Sequence, residues 1–144
     1  MKIKKLRPEF VQHVPDELAE GLLYISEEFA TAGHLCCCGC GEEIFTPLNQ
    51  AQWRLIKNER ADTVSLYPSI GNWKYPCQSH YWIDKNMVRD AGPMSDRLIK
   101  KVIKRDRRDK DRYIKEHNQE EHQHVDNLGY ISRLARWLLD KWHK

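Results

Sequence analysis

The sequence predicts an α+β protein, in which a small β-rich zinc-stabilised domain is followed by a helical C-terminal extension. Three observations lead to this prediction. Four of the five cysteines crowd one short run, and the fifth stands beside a histidine further along the chain. Residues 1–92 hold short apolar or alternating segments broken by Gly, Pro and Asn, whereas residues 93–144 carry apolar side chains at helical spacing. We therefore expect a domain at 1–92 and an extension at 93–144, within the usual size of one domain and an appendage.

The first elements of the β-rich region are short. Residues 2–6 alternate weakly and predict an edge strand, and residues 21–26 predict a short apolar strand. Residues 44–46 predict a strand that stops at Pro47. Residues 48–56 carry apolar side chains at helical spacing and favour a short helix.

The second half of this region predicts a rigid loop and a hairpin. Residues 63–67 alternate and end at Pro68, and residues 68–71 predict a tight loop held by Pro and Gly. Residues 80–83 and 87–89 predict two strands whose connection has Lys85 and Asn86 at its tip.

The C-terminal region predicts helix. Ser95 is a suitable N-cap for a helix whose apolar residues recur at spacings of three and four. Residues 104–112 contain no apolar side chain at all. A second apolar stripe would fit one helix face and is predicted to be buried, against the first domain or in a homo-oligomer. This stripe consists of Leu128, Ile131, Leu134, Ala135, Leu138 and Trp142.

Charge is distributed unevenly along the chain. Residues 1–94 carry 10 basic and 12 acidic side chains, and residues 95–144 carry 14 basic and 9 acidic ones. Aspartates interrupt the basic run, which is more typical of a solvated helix with near-neighbour ion pairs than of a phosphate-binding face. The sequence therefore does not favour nucleic-acid binding. No apolar stretch approaches the roughly 20 residues of a membrane span, and we expect no membrane interaction.

The cysteine pattern predicts one structural zinc ion that clamps residues 36–40 to residues 77–80. Tetrahedral zinc commonly takes two ligands from each of two chain segments. Five is an odd number and adjacent cysteines do not readily pair, so a disulfide framework is not favoured; we expect a reducing cytoplasm. A catalytic zinc remains an alternative. The available ligands are Cys36, Cys37, Cys38, Cys40, Cys77, His34 and His80.

Ser69 is the candidate nucleophile. It stands in the predicted Pro/Gly loop, which runs directly into Cys77-x2-His80, so a bound metal would tether it. A serine near an imidazole base, with backbone amides facing the oxyanion, can perform nucleophilic catalysis. The zinc clamp would deliver both His34 and His80, and Glu27 or Glu28 could orient His34. A serine in such a loop is nevertheless often only a turn residue.

Four sequence motifs resemble one small bacterial family. They are LYISEE (23–28), HLCCCGCG (34–41), SLYPSIGNW (65–73) and CQSHYWI (77–83), within a similarity covering about residues 22–90. The family is BubE, the peptidase component of the bacterial ubiquitination-like (Bub) operons. The resemblance implies a serine-type mechanism. It also implies a ubiquitin-like protein and its activating and conjugating enzymes as partners.

The chain departs from the family pattern at Cys37, where the family usually has proline. Cys37 is thus the best candidate for a thiol that binds no metal. The resemblance implies a serine nucleophile, for which Ser69 is the candidate. His34 is the preferred base, because Cys77-x2-His80 has normal zinc-ligand spacing and His34 precedes the cysteine run. Glu28 or its neighbour Glu27 is the expected orienting acid. The opposite histidine assignment stays open, with four thiolates on zinc and His80 free. The expected zinc ligands are drawn from Cys36, Cys38, Cys40, Cys77 and His80.

The function we expect is hydrolysis of a peptide or isopeptide bond at the C-terminus of a ubiquitin-like protein. Two other classes of function remain open. One is a non-enzymatic zinc module that binds the conjugation machinery or nucleic acid. The other is a zinc hydrolase, in which the metal holds the attacking water and a glutamate is the base.

Overall fold

Residues 1–142 form eight strands and one C-terminal helix, which confirms the α+β class. The structure is a computed structural model that describes the backbone of residues 1–142 and the side chains of residues 1–119. The strands are β1 (Arg7–Phe10), β2 (Leu22–Ser26), β3 (Thr31–Leu35), β4 (Glu43–Pro47), β5 (Arg54–Asn58), β6 (Thr63–Gly71), β7 (His80–Asp84) and β8 (Met87–Asp90), and the helix is α1 (Asp96–Trp142).

The strands form two four-stranded sheets that share one core. The first sheet has the order β1-β2-β3-β4, and the second has the order β5-β6-β7-β8. All neighbouring strands are antiparallel except β1 and β2, which are parallel. Apolar side chains from both sheets pack in one cluster, among them Ile25 and Ala32 from the first sheet and Leu66 and Ile83 from the second.

The alternation of the second sheet assigns its two faces. Leu55, Leu66, Ile83 and Val88 lie opposite one another across the four strands. The last three are at least nine-tenths buried. Each buried aliphatic side chain of this kind stabilises the fold by roughly 1.5–3 kcal/mol. Because strand side chains alternate, the neighbours of these residues point to the outer face of the sheet.

The β7–β8 hairpin confirms the predicted turn at Lys85 and Asn86. Both residues have positive φ, 50° and 67°, as a two-residue hairpin turn requires. The Asn86 side chain is buried, accepts a 2.8 Å hydrogen bond from the Val64 backbone N–H and donates one of 3.1 Å to the Asp62 carbonyl. A single asparagine thus fastens the hairpin tip to the start of β6.

Two predicted elements are wrong. Residues 2–6 form no strand beyond an isolated bridge from Lys5 to Met87, and β1 begins only at Arg7. Residues 48–56 form turns and the start of β5 rather than a helix. The Asn49 side chain accepts the Ala51 N–H at 3.0 Å, which stabilises a turn, and pairing with β6 then overrides the local helical spacing.

The helix α1 begins as predicted, because the Ser95 carbonyl accepts the Ile99 N–H at 2.9 Å. Within residues 104–112 all side chains are exposed except Asp109, which is half-buried. Asp109 Oδ1 lies 3.7 Å from Arg108 Nε and 3.7 Å from Arg112 Nη2. The predicted apolar stripe from Leu128 to Trp142 lies outside the described side chains.

The chain divides into two compact units, Met1–Asp106 and the part from Arg107 onward. The first unit contains both sheets. The boundary at residue 92 stays a prediction. Over the described residues, no helix combines the length and apolar character that crossing a membrane demands.

Candidate metal centre and serine–histidine pair

The segment predicted to be a loop at residues 68–71 belongs to strand β6. The pairing register shifts between Leu66, which lies opposite Ile83, and Ile70, which lies opposite Tyr81. Three residues of β6 therefore stand opposite the single residue Trp82 of β7. Such a bulge bends a strand and changes where its side chains point. Pro and Gly here indicate an irregular strand rather than a loop.

The bulge brings Ser69 to His80. Ser69 Oγ and His80 Nε2 lie 2.9 Å apart, within the 2.6–3.2 Å expected of a nucleophile and its base. Gly71 lies opposite His80, so Ser69, two residues earlier, is a diagonal neighbour on the same sheet face. Both side chains are half-buried. The pair is thus partly shielded yet open to a substrate.

A backbone carbonyl selects the tautomer of His80. Nδ1 lies 3.2 Å from the Gly92 carbonyl oxygen. Because a carbonyl can only accept a hydrogen bond, Nδ1 of the neutral ring carries the proton and donates it. Nε2 then has a free lone pair and accepts the Ser69 hydroxyl. This is the arrangement that a general base requires.

Trp73 packs against His80, and Gly71 makes room for it. The two rings have centroids 4.9 Å apart. A Cβ atom on residue 71 would clash with the Trp73 indole, because it would lie closer than real Cβ contacts allow. Glycine is therefore required because the indole lies directly over the backbone.

The four thiols of Cys36, Cys38, Cys40 and Cys77 form the candidate metal centre. Their sulfur atoms all lie within 4.8 Å of one another, and Cys36 and Cys38 are 3.4 Å apart. Tetrahedral zinc with Zn–S bonds of about 2.3 Å places sulfurs about 3.8 Å apart. All five cysteines are free thiols. The donor set and its spacing fit one tetrahedral metal ion.

The protonation of these thiols shows what a cation would contribute. The pKa of Cys38 is raised to about 12, and burial is the largest cause. Burial also opposes ionisation of Cys77, but the Ser79 backbone N–H and hydroxyl and the Cys40 and Cys38 thiols outweigh it and lower the pKa to about 7. The Cys38 thiol would therefore not ionise at neutral pH without compensating positive charge. A divalent cation supplies that charge.

A buried polar network supports the cysteine cluster from inside the core. Asn72 Nδ2 donates to Ser79 Oγ at 2.9 Å and to Cys36 Sγ at 3.3 Å. Ser79 Oγ also lies 3.1 Å from Cys36 Sγ. Donors of this kind orient metal-bound thiolates and stabilise their charge. Asn72 and Ser79 thus fit the role of outer-shell partners.

His34 lies in the core and does not reach Ser69. Its ring is fully buried, and Nε2 is 2.9 Å from the Tyr81 hydroxyl. Nδ1 has no hydrogen-bond partner among the described residues. Burial lowers the pKa of His34 to about 4, so the ring is neutral at pH 7. The expectation that His34 serves Ser69 is not met, because β3 turns this side chain inward.

The structure also locates the remaining candidate residues, which are Glu27, Glu28, His80 and Cys37. Glu28 is exposed in the turn between β2 and β3, and Glu27 pairs with Lys57 at 2.7 Å. Among residues 1–119, neither acid forms an ion pair or a hydrogen bond with a histidine. His80 lies outside the sulfur cluster, because both of its ring nitrogens are already engaged. Cys37 is also outside the cluster and buried, with a pKa raised by burial to about 12.

Sequence reasoning missed Tyr81, Asn72 and Gly92 as parts of these sites. Asn72 and Tyr81 lie within the quoted motifs, where a polar residue beside apolar ones could have indicated a buried partner. In the sequence, Gly92 is only the last residue of the predicted first domain. No local signal indicates that its carbonyl meets a histidine twelve residues earlier.

Comparison with known proteins identifies the family. Residues 10–91 match the family described as "Bacterial ubiquitination-like system serine protease (BubE)". The match spans more than half of the 144 residues, and the chain belongs to this family. Neither a curated protein nor a solved structure gives a match.

Proposed function

We propose that this BubE-family chain is a serine peptidase in which Ser69 is the nucleophile and His80 is the general base. The observation that carries the proposal is the 2.9 Å contact between Ser69 Oγ and His80 Nε2, with Nδ1 held by the Gly92 carbonyl. The description of the family as a serine protease supports the same chemistry.

The reaction follows from these contacts. Ser69 Oγ attacks the scissile carbonyl carbon while His80 Nε2 takes the hydroxyl proton, and Nδ1–H remains bonded to Gly92. The imidazolium then gives the proton to the leaving amine, which departs and leaves an ester on Ser69. Water attacks this ester, with His80 again taking a proton, and the carboxylic acid product and free Ser69 result.

The assignment of His80 as base replaces that of His34. A base must lie within hydrogen-bonding reach of the proton that it removes. His80 meets this condition. His34 is buried against Tyr81 and its low pKa disfavours the protonated intermediate that a base must form.

We further propose that the cysteine cluster holds zinc in a structural role. Four thiolates complete a tetrahedron and leave no position for water, unlike the open coordination of catalytic zinc. When bound, zinc would connect the Cys36–Cys40 turn to Cys77 and supply folding free energy. Cys77 precedes His80 by three residues, so the ion would steady the start of β7. A closed coordination sphere of four thiolates disfavours the metal-hydrolase alternative.

The proposed substrate is the C-terminus of a ubiquitin-like protein, either as a precursor or as a conjugate. The family's description places it in a ubiquitination-like system, which supports this choice. The activating and conjugating enzymes are the corresponding partners, and a cytoplasmic setting suits free thiols. Residues 1–92 would carry the activity, and residues 93–144 would serve assembly, including a homo-oligomer through the helix.

The test is incubation of the full chain with a ubiquitin-like protein carrying a C-terminal extension, followed by intact-mass measurement. We expect the wild type to cleave this substrate. We also expect a serine-directed phosphonate probe to label Ser69. Ser69→Ala should abolish both, and Ser65→Ala, on the same strand, should preserve both. Cleavage that persists in Ser69→Ala would refute the serine mechanism, and absence of cleavage and labelling in the wild type would leave only a binding module.

A further inference from the structure

We propose that Asp90 is a positioning residue for the Ser69–His80 pair, and that it acts through the backbone of Gly92 without touching the imidazole. The inference rests on the proposed function for its catalytic consequence. It concerns how the base is held, which neither the family description nor the sequence motifs assign.

The contacts form a continuous path. Asp90 Oδ1 accepts the Gly92 backbone N–H at 2.9 Å, which closes an aspartate turn at the end of β8. The Gly92 carbonyl accepts His80 Nδ1–H at 3.2 Å, and Nε2 meets Ser69 Oγ at 2.9 Å. The Asp90 carboxylate is thus connected to the His80 ring through two successive hydrogen bonds, both made by the backbone of Gly92.

Gly92 depends on this carboxylate for its conformation. The sheet ladder ends at the Tyr81–Asp90 pair, followed by one hydrogen bond from Ala91 N to the His80 carbonyl at 2.9 Å. Gly92 has φ +75°, one of many conformations open to glycine. Pro93 follows and has no backbone N–H to fix the next peptide. The Asp90 side chain is therefore the contact that selects the direction of the Gly92 carbonyl.

The hydrogen bond, rather than the negative charge, should carry the effect. The Asp90 side chain is 57% exposed, so water and salt screen its field at the imidazole. The hydrogen bond from the Gly92 N–H is the largest of the causes that lower the pKa of Asp90. An asparagine side-chain oxygen can accept the same N–H. Asp90→Asn should therefore substitute for aspartate, unlike the acid of a direct catalytic triad.

The experiment uses the full chain and two independent readouts. The first is kcat and KM for cleavage of the extended ubiquitin-like protein. The second is the ¹⁵N chemical shifts of the His80 ring, which report the tautomer without any substrate. Asp90→Ala should lower kcat about tenfold, part of the usual general-base contribution, with KM unchanged. It should also convert a single Nδ1–H tautomer into a mixture, and Asp90→Asn should restore both readouts to near wild type.

A pair of glycine variants provides the matched control. Gly92 and Gly21 have φ +75° and +81°, and an added Cβ meets nothing within 4 Å at either site. Alanine should thus cost similar backbone strain at both. Gly92→Ala should change the tautomer and kcat, and Gly21→Ala should change neither.

Three results would overturn the inference. They are an unchanged tautomer in Asp90→Ala, an Asp90→Asn variant as impaired as Asp90→Ala, and equal effects of Gly21→Ala and Gly92→Ala. Failure of the proposed function would instead appear as absence of cleavage by the wild type. The tautomer measurement would still decide the role of Asp90 in that case.

Discussion

The start of β7 serves two sites that differ in how they are built. Ser79 faces inward and contacts Cys36 of the cysteine cluster, whereas its neighbour His80 faces outward and contacts Ser69. Turn segments rich in one ligand type make the cluster. The Ser69–His80 pair depends instead on strand register, on the bulge in β6 and on the Gly92 carbonyl.

The cysteine cluster and the Ser69–His80 pair are suited to different roles. Four thiols can close a metal's coordination sphere, so the cluster is suited to holding two chain segments together. The Ser69–His80 pair lies on the outer face of the sheet, where a substrate can approach. The two sites adjoin where Ser79 precedes His80 and where Asn72 stands between Gly71 and Trp73. Because the Ser69–His80 pair itself forms no hydrogen bond to the four thiols, the effects of changing one site should be separable from those of changing the other.

Removal of the reactive groups should have the largest effect, on activity alone. Ser69→Ala or His80→Gln should lower kcat by about 10³-fold or more, since members of such a pair act as a unit. Metal content and melting temperature should stay near wild type, because neither residue contacts the sulfur cluster. Steady-state kinetics with metal analysis of the same samples would test this. Loss of metal in His80→Gln would instead make His80 a ligand.

Removal of a cluster thiol should act mainly on folding. Cys77→Ser should release the metal and unfold or aggregate the chain, because binding free energy at structural sites is folding free energy. Metal analysis and thermal melts would measure this. Cys37→Ala is the matched control, since Cys37 is buried but outside the cluster, and it should keep the full metal content. Protein purified without chelator that contains no metal would refute the proposed zinc site.

A methyl group at residue 71 should damage the pair through Trp73. Gly71→Ala forces the indole to move because the new Cβ would clash with it. We expect a cost of about 1–3 kcal/mol from overpacking and a reduced kcat. A double-mutant cycle with Trp73→Ala should recover most of the stability cost of Gly71→Ala. An equal cost in both backgrounds would show that another contact requires glycine.

Loss of the Tyr81 hydroxyl should have the smallest effect. Tyr81→Phe leaves His34 Nε2 without its 2.9 Å partner, which should lower the free energy of unfolding by about 1–3 kcal/mol. The kcat should not change, because His34 does not contact Ser69. Chemical denaturation beside kinetics would test both statements. A large fall in kcat would mean that the buried histidine takes part in the reaction.

The chemistry of the two sites could be anticipated from sequence to different depths. The cysteines could be grouped because soft ligands cluster in two short segments, and the structure brings four of the five together. Ser69 could be singled out because it stands between Pro68 and Gly71 and between the two cysteine segments. The choice of histidine could not be made, since His34 and His80 both flank cysteines.

Residue types and their spacing were sufficient to determine the α+β class, the β7–β8 hairpin and the start of α1. They were also sufficient to group the cysteines as candidate metal ligands. These features depend on local preferences and on one scarce residue type. Tertiary structure alone decided which histidine meets Ser69, because a shift in strand register sends every side chain to one face or the other. It also decided that the Gly92 carbonyl, rather than Glu28, contacts the ring of that histidine, since a backbone carbonyl leaves no trace in the identity of its residue.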